Sequence, residues 1–255
     1  RGLILPAAVP YSITLADYDQ DGDLDIFACC YDRRFGVNRE RIFAKAIPYH
    51  DANNGGRNVM LRNDSSSSDL SGGNWKFRYV TDEVGLNQNN RRFSYAASWE
   101  DYDNDGDLDL YVANDFGRNN LYRNDQGKFT DVAKEAGVED ISAGMSISWN
   151  DYNNDGWMDV YVSNMFSSAG NRIAFQRKFH EGVESETKEL FQRHARGNSL
   201  FENSKDGTFK DVSVDVGVTM GRWAWGSRFL DINNDGWQDI LVANGFLTQG
   251  KADDL

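Results

Sequence analysis

Four nine-residue stretches of the chain are near copies of one another: 17–25, 101–109, 151–159 and 231–239. Each reads D-x-[DN]-x-D-G-x-x-D, so oxygen-bearing side chains recur at positions 1, 3, 5 and 9. With a main-chain carbonyl at position 7, such a loop offers oxygen ligands only. That donor set suits a hard cation, and a flexible loop of many oxygens favours Ca2+ over Mg2+, which demands a stricter octahedron. Gly22, Gly106, Gly156 and Gly236 at position 6 allow the sharp turn that gathers the ligands. Position 7 is Asp23, Asp107, Trp157 or Trp237, a freedom expected where only the carbonyl binds. An EF-hand needs Glu at position 12. Here Ala28, Val112, Val162 and Val242 stand there, inside apolar runs. Loops three and four carry Asn153 and Asn233 where the first two have Asp19 and Asp103. One carboxylate fewer predicts weaker calcium binding at those loops.

The flanks of the loops repeat as well. A β-prone stretch precedes each loop, and an apolar, β-branched or aromatic run follows it, as in Leu108-Asp-Leu-Tyr-Val-Ala113. Each unit therefore begins as a hairpin closed by a metal loop. A third element follows at Asn58–Asn63, Asn119–Asn124 and Asn198–Asn203, and its last Asn leads into a turn. A fourth starts at Phe77, Phe129 or Phe209 and runs on to Gly85-Leu86, Gly137-Val138 or Gly217-Val218. Four short meandering strands per unit, repeated, is the pattern of a β-propeller blade. The predicted fold is all-β: one propeller domain over 1–255, with three complete repeats and a fourth, partial one.

Successive loops start 84, 50 and 80 residues apart. The excess sits at one corner of two blades, as insertions at about 31–57 and 165–197. Insertions at one corner of successive blades emerge on one face, often the binding face. The first reads as irregular. The second predicts a helix over 185–194, with an acidic start and a basic end that suit the helix dipole. The Ser65–Ser68 run and Gly72-Gly73 mark a loose hairpin tip.

Bulk properties narrow the function classes. Hydrophobic residues make up 40% of 255, enough for a globular core. No apolar run approaches membrane-helix length. A net charge of −13 argues against nucleic acid as a partner. Five Asp sit in each of the first two loops and three in each of the others, so four bound Ca2+ would offset much of that charge. Arg1 in place of an initiator Met predicts a processed or partial chain. Adjacent Cys29 and Cys30 read as small residues of a buried strand rather than a strained disulfide.

The unit DYDNDGDLDLYVAN…NNLYRNDQGKFTDVAKEAGV resembles the FG-GAP/VCBS repeat of integrin α-subunit propellers and of the cartilage acidic protein/ASPIC-UnbV group. The resemblance covers nearly all of the chain outside the insertions. It implies a calcium-stapled β-propeller, usually seven-bladed, that is extracellular, at the cell surface or periplasmic. By position it assigns as ligands Asp17, Asp19, Asp21 and Asp25 in the first loop, and Asp101, Asp103, Asp105 and Asp109 in the second. In the third and fourth it assigns Asp151, Asn153, Asp155 and Asp159, and Asp231, Asn233, Asp235 and Asp239. Asp23, Asp107, Trp157 and Trp237 would add carbonyls.

Up to four calcium ions of this kind would be structural rather than catalytic. No G-x-S-x-G, H-E-x-x-H or phosphate-binding loop is present, so an enzyme is not expected. His50, His180 and His194 lie in or beside insertions and read as surface or packing residues. Trp99, Trp149, Trp157 and Trp237 read as blade-packing groups, with a sugar-stacking platform as the other option. Short basic pairs such as Arg33-Arg34 read as solvated. Asn63-Asp-Ser65 is a glycosylation sequon. The function expected is a protein-interaction, adhesion or scaffold module with a protein or glycan partner on the insertion face, and self-assembly is compatible with it. A lectin-like propeller and a polysaccharide lyase are the alternatives.

Overall fold

A computed structural model describes residues 8–35, 40–42, 45–66, 69, 71 and 73–245. Each Asp loop joins two antiparallel strands. In the first sheet β1 (Ala8–Ala16) pairs with β2 (Asp25–Phe35), and β4 (Val59–Asn63) and β5 (Phe77–Tyr79) follow. The second comprises β6 (Phe93–Glu100), β7 (Asp109–Phe116), β8 (Asn120–Asn124) and β9 (Phe129–Asp131). The third comprises β10 (Gly144–Asn150), β11 (Asp159–Asn164), β12 (Ser199–Asn203) and β13 (Phe209–Asp211). Of the fourth, β14 (Ala224–Leu230) and β15 (Asp239–Asn244) are present. The three complete units and the fourth hairpin read from the sequence thus each become one sheet of the β-propeller.

The register repeats as faithfully as the sequence. Position 9 of each loop opens the second strand and opposes the residue just before position 1: Asp25 faces Ala16, Asp109 faces Glu100, Asp159 faces Asn150 and Asp239 faces Leu230. Each first strand carries a bulge at the equivalent place, at Tyr11, Tyr95, Met145 and Trp225. The first strands of neighbouring sheets pack on one another, β1 on β6, β6 on β10 and β10 on β14. The second strands β7 and β11 are covered on both faces, which explains their continuous apolar runs.

The core lies between the sheets. Tyr18, Phe27, Met60, Leu110, Tyr122 and Phe129 fill the space between the first two. Tyr102, Tyr111, Leu121, Val160, Phe201 and Phe209 repeat the arrangement between the second and third. Trp99 and Trp149 pack against these clusters, as expected. Trp237 does not: it is 56% exposed, on a sheet that has only two strands among the described residues. Cys29 and Cys30 are free and buried in the first sheet, and burial pushes both thiols up to about 12.

The framework Asn and Gly residues tie blade to blade. Asn124 Nδ2 donates to Tyr18 O in the preceding loop (2.8 Å) and to Leu108 O in its own (3.1 Å). Asn203 Nδ2 repeats this with Tyr102 O (2.9 Å) and Met158 O (3.1 Å). Gly85 sits at φ +91°, and a Cβ there would lie 2.3 Å from Phe129 O of the next blade. Asn63 is the first-blade equivalent of Asn124 and is 1% exposed, with Oδ1 accepting from Ser65 N–H (3.2 Å). The sequon is therefore a framework asparagine whose side chain is sealed from a glycan.

The first insertion is more ordered than its composition suggested. β2 extends into it, β3 (Glu40–Ile42) pairs back on β2, and Tyr49–Asp51 forms a 3-10 turn. The second holds α1 (Ser168–Ala174), which the sequence did not reveal, and α2 (Ser185–Ala195), which it did. Residues 36–39, 43–44, 67, 68, 70 and 72, and the side chains of the Arg33-Arg34 pair, fall outside the described part of the chain, and with them half of the residues of the expected hairpin tip.

Candidate functional site

The four loops share one local geometry. Asp21, Asp105, Asp155 and Asp235 donate their N–H to Oδ1 of position 1, at 2.8–3.1 Å. The position-6 Gly N–H donates to the other oxygen, at 2.8–3.0 Å. The glycines lie at φ +88° to +95°. Position 4 is left-handed too, at Gln20, Asn104, Asn154 and Asn234. The Asn at three of those positions was the unread signal, since Asn tolerates that region best among side chains.

Position 9 is a strut. Asp25, Asp109 and Asp159 accept from the position-2 N–H at 3.4, 3.2 and 3.3 Å with Oδ2. With Oδ1 they accept from the third-strand Asn N–H, at 2.8, 2.7 and 2.7 Å. One carboxylate thereby joins the loop to two strands. Among the described residues Asp239 keeps only the Ile232 contact (3.1 Å), its sheet having two strands there.

In the first loop Asp17, Asp19 and Asp21 each bring a carboxylate oxygen within 4.8 Å of the others, and in the second Asp101, Asp103 and Asp109 do so. Asp25, Asp23, Asp105 and Asp107 stand outside those groups. The third and fourth loops form no such three-acid group among the described residues. Asp19 Oδ1, Asp23 Oδ1 and Asp103 Oδ1 are buried without a hydrogen-bond partner. An unpaired buried carboxylate oxygen is costly, and a cation would relieve it. Burial, with neighbouring acids behind it, raises the Asp19 and Asp103 carboxyls above the usual range. Burial carries Asp25 to about 7, Asp109 to about 8 and Asp159 to about 7, against their backbone hydrogen bonds. The donor set and its orphaned oxygens fit Ca2+.

The loops differ in their neighbours. Gln20 Nε2 donates to Gly106 O (2.8 Å) and Asp107 Oδ1 (2.9 Å), linking loop one to loop two. Asp107 Oδ2 accepts from Gln126 N–H (2.7 Å), so that side chain serves as a bracket between turns. In loop three Lys205 Nζ lies 3.2 Å from Asp155 Oδ2 and holds that carboxyl below its usual range against a burial effect that raises it. Trp157 and Trp237 donate their N–H to Asp155 and Asp235 Oδ1, at 3.0 and 2.8 Å. In loop four Asn233 Nδ2 contacts Asp235 Oδ2 (2.9 Å).

The two insertions meet elsewhere, over a cavity of about 400 Å3. Tyr49 comes from the first, Phe179, Phe191 and His194 from the second, and Phe116 from the end of β7. The Tyr49 ring lies 5.0 Å from both Phe116 and His194. Asp115 is the one carboxylate on the lining, and no Lys or Arg among the described residues lines it. Tyr31 OH donates to Asp115 Oδ2 (2.5 Å). Burial raises the Asp115 carboxyl, partly offset by Tyr31 and His194. His194 Nδ1 is 2.7 Å from Ile141 O, and Ser167 Oγ is taken by Gly170 N–H (2.9 Å). Ion pairs pin the walls. Asp51 receives Arg92 (2.8 Å) and Arg118 (3.1 Å), while Arg193 of α2 bridges Asp140 (3.3 Å) and Asp211 (2.6 Å). His50 and His180 pack on Phe191, at 5.1 and 4.9 Å.

Residues 101–162 and 188–242 match the model of the FG-GAP-like repeat. No curated protein matches the chain. Among solved structures, an Agrocybe aegerita lectin described as recognising non-reducing terminal N-acetylglucosamine aligns over 91% of this chain, at 16% identity and a TM-score of 0.36. The alignment takes in 60% of that lectin's chain.

Proposed function

We propose that this chain, an FG-GAP-repeat β-propeller, is a calcium-stapled binding module that works outside the cytoplasm and meets its partner with the insertion face. The observation that carries the binding face is the convergence of insertions from two blades on one cavity. The uninterrupted second blade turns the same corner in the few residues between Phe116 and Asn120, so blade closure itself does not need them. The orphaned oxygens of Asp19 and Asp103 support calcium at the first two loops. Weak sites of the kind extracellular modules use would need abundant calcium, which favours an extracellular, cell-surface or periplasmic setting.

An array of immobilised extracellular proteins and glycans tests the reading. Tyr49→Ala and Ile173→Asp, on the cavity rim, should remove the hits while leaving the calcium-dependent melting temperature in place. Val214→Asp, at a site 66% exposed elsewhere on the blades, should leave the hits intact. Hits indifferent to the rim substitutions would overturn the insertion face as the binding face.

A further inference from the structure

We infer that the cavity beneath the insertions binds an organic ammonium ion, a charged nitrogen on an apolar body, with the nitrogen seated against Asp115. The inference rests on the insertion face being the binding face and adds the chemistry of its ligand.

A volume of about 400 Å3 suits a small molecule or one long side chain. The wall is ringed by Tyr49, Phe116, Phe166, Phe179, Phe191 and Trp223. Such rings attract a cation through their faces while covering an apolar body. Among the described residues, Asp115 is the one carboxylate on the lining and no Lys or Arg balances it, with the His194 imidazole as the one titratable ring nitrogen group nearby. Oδ2 takes the Tyr31 hydroxyl, and Oδ1 makes no hydrogen bond among the described residues. Tyr31 is braced by Phe93 at 5.2 Å, so the acceptor is held in place before any ligand arrives. A half-buried carboxylate with one neutral donor gains most from a cation that completes its shell.

Other ligand classes fit poorly. An anion would meet Asp115 with no Lys or Arg to receive it. A sugar needs many polar partners, yet Ser167 Oγ and His194 Nδ1 are committed within the fold. Buried sugar hydroxyls without partners would weigh against binding. The net charge of −13, which four Ca2+ would reduce but leave negative, favours the approach of a cation.

Calorimetry on the calcium-loaded chain with three matched probes decides the point: phenethylammonium, the neutral 2-phenylethanol and the anionic phenylacetate. Phenethylammonium should bind about tenfold or more tightly than the alcohol, and phenylacetate should not bind. Asp115→Asn, checked for an unchanged melting temperature, should erase the preference for the ammonium. N-acetyl-lysine methylamide distinguishes sources: tighter binding than phenethylammonium points to a partner's lysine, weaker binding to a free amine. Equal or tighter binding of the alcohol, or no binding of the ammonium, overturns the inference. This comparison uses the native chain and holds even if the variant fails to fold. If the alcohol wins but Ile173→Asp abolishes its binding, the binding face stands and only the ammonium preference falls. If probe binding ignores Ile173→Asp, the face falls too.

Discussion

A few residues whose side chains or missing side chains bridge blades carry more of the fold than their number suggests. Gly85 is one. Its φ of +91° and the 2.3 Å approach of Phe129 O leave no room for a methyl group, and the obstacle is backbone that cannot turn aside. Gly85→Ala should cost more than about 2 kcal/mol in chemical denaturation, as a strained left-handed residue and a steric clash combine. A loss below about 0.5 kcal/mol would show that the blades slide past the clash. Asn124 and Asn203 act in the opposite sense, each saturating carbonyls of two loops with one amide. Lys205 differs in kind, because it competes for a loop ligand. With Nζ 3.2 Å from Asp155 Oδ2, it must leave or be outbid when a cation enters loop three. Lys205 is about half exposed and Asp155 partly so, so solvent screens the pair and Lys205→Ala should tighten calcium at that loop only about two- to fivefold. Titration of the variant with the other three loops disabled by Asp→Ala at position 1 measures this. Unchanged or weaker affinity would remove Lys205 from the account.

At the scale of elements, α2 shows how an insertion is fastened to a blade. Arg193 reaches Asp140 and Asp211, and Arg196 reaches Asp211 (3.0 Å). Burial alone would raise both acids, yet Arg193, with Arg196 and hydroxyl and amide donors, outweighs it and holds both below the usual carboxylate range. A depressed folded-state value means the anchorage is fully present above the unfolded carboxylate value of about 4 and fades as pH falls through the lowered one. Acidification below about pH 4 should therefore release α2 before the sheets unfold. Limited pepsin digestion should cut first within 165–197, and Arg193→Gln should move that cleavage to higher pH. Simultaneous loss of helix and sheets would contradict it. The same elements show what sequence could reveal. The Asp loops, four-strand units and α2 were legible because each carries its own period, turn chemistry or end charges. Helix α1 was not, because Ser168–Ala174 is seven residues of mixed polarity held by a Ser167 cap and by contacts to α2. The cavity escaped for a different reason. Tyr49, Asp115 and His194 are distant in sequence and share no motif; only the meeting of two insertions with β7 brings them together.

In the whole molecule, the loops hold the ends of the hairpins, and under the proposed calcium role their carboxylates would set how stability responds to calcium and pH. Each loop saturated at a hundredfold excess over its Kd would stabilise the folded chain by about 2.7 kcal/mol. Loops one and two have the richer carboxylate sets and the orphaned oxygens, and Gln20 links them directly. Two such sites correspond to roughly 10–20 °C in melting temperature for a chain of this size. Without the cation, Asp25, Asp109 and Asp159 sit at about 7, 8 and 7 because burial disfavours their charge. A raised folded-state carboxyl leaves stability intact below the unfolded value of about 4 and erodes it as pH climbs through the folded one. The calcium-free chain should thus weaken steadily from about pH 4 to about pH 8. A bound Ca2+ would favour the ionised carboxylates, so a loaded chain should escape that loss and release protons on binding near neutral pH. The gap between calcium and EDTA melting temperatures should therefore widen from about pH 5 to about pH 8 and level off above. Calorimetric heats near pH 7 should also change with the ionisation enthalpy of the buffer. A gap that is absent, or that stays constant across this range, would mean these loops are not calcium staples coupled to buried carboxylates.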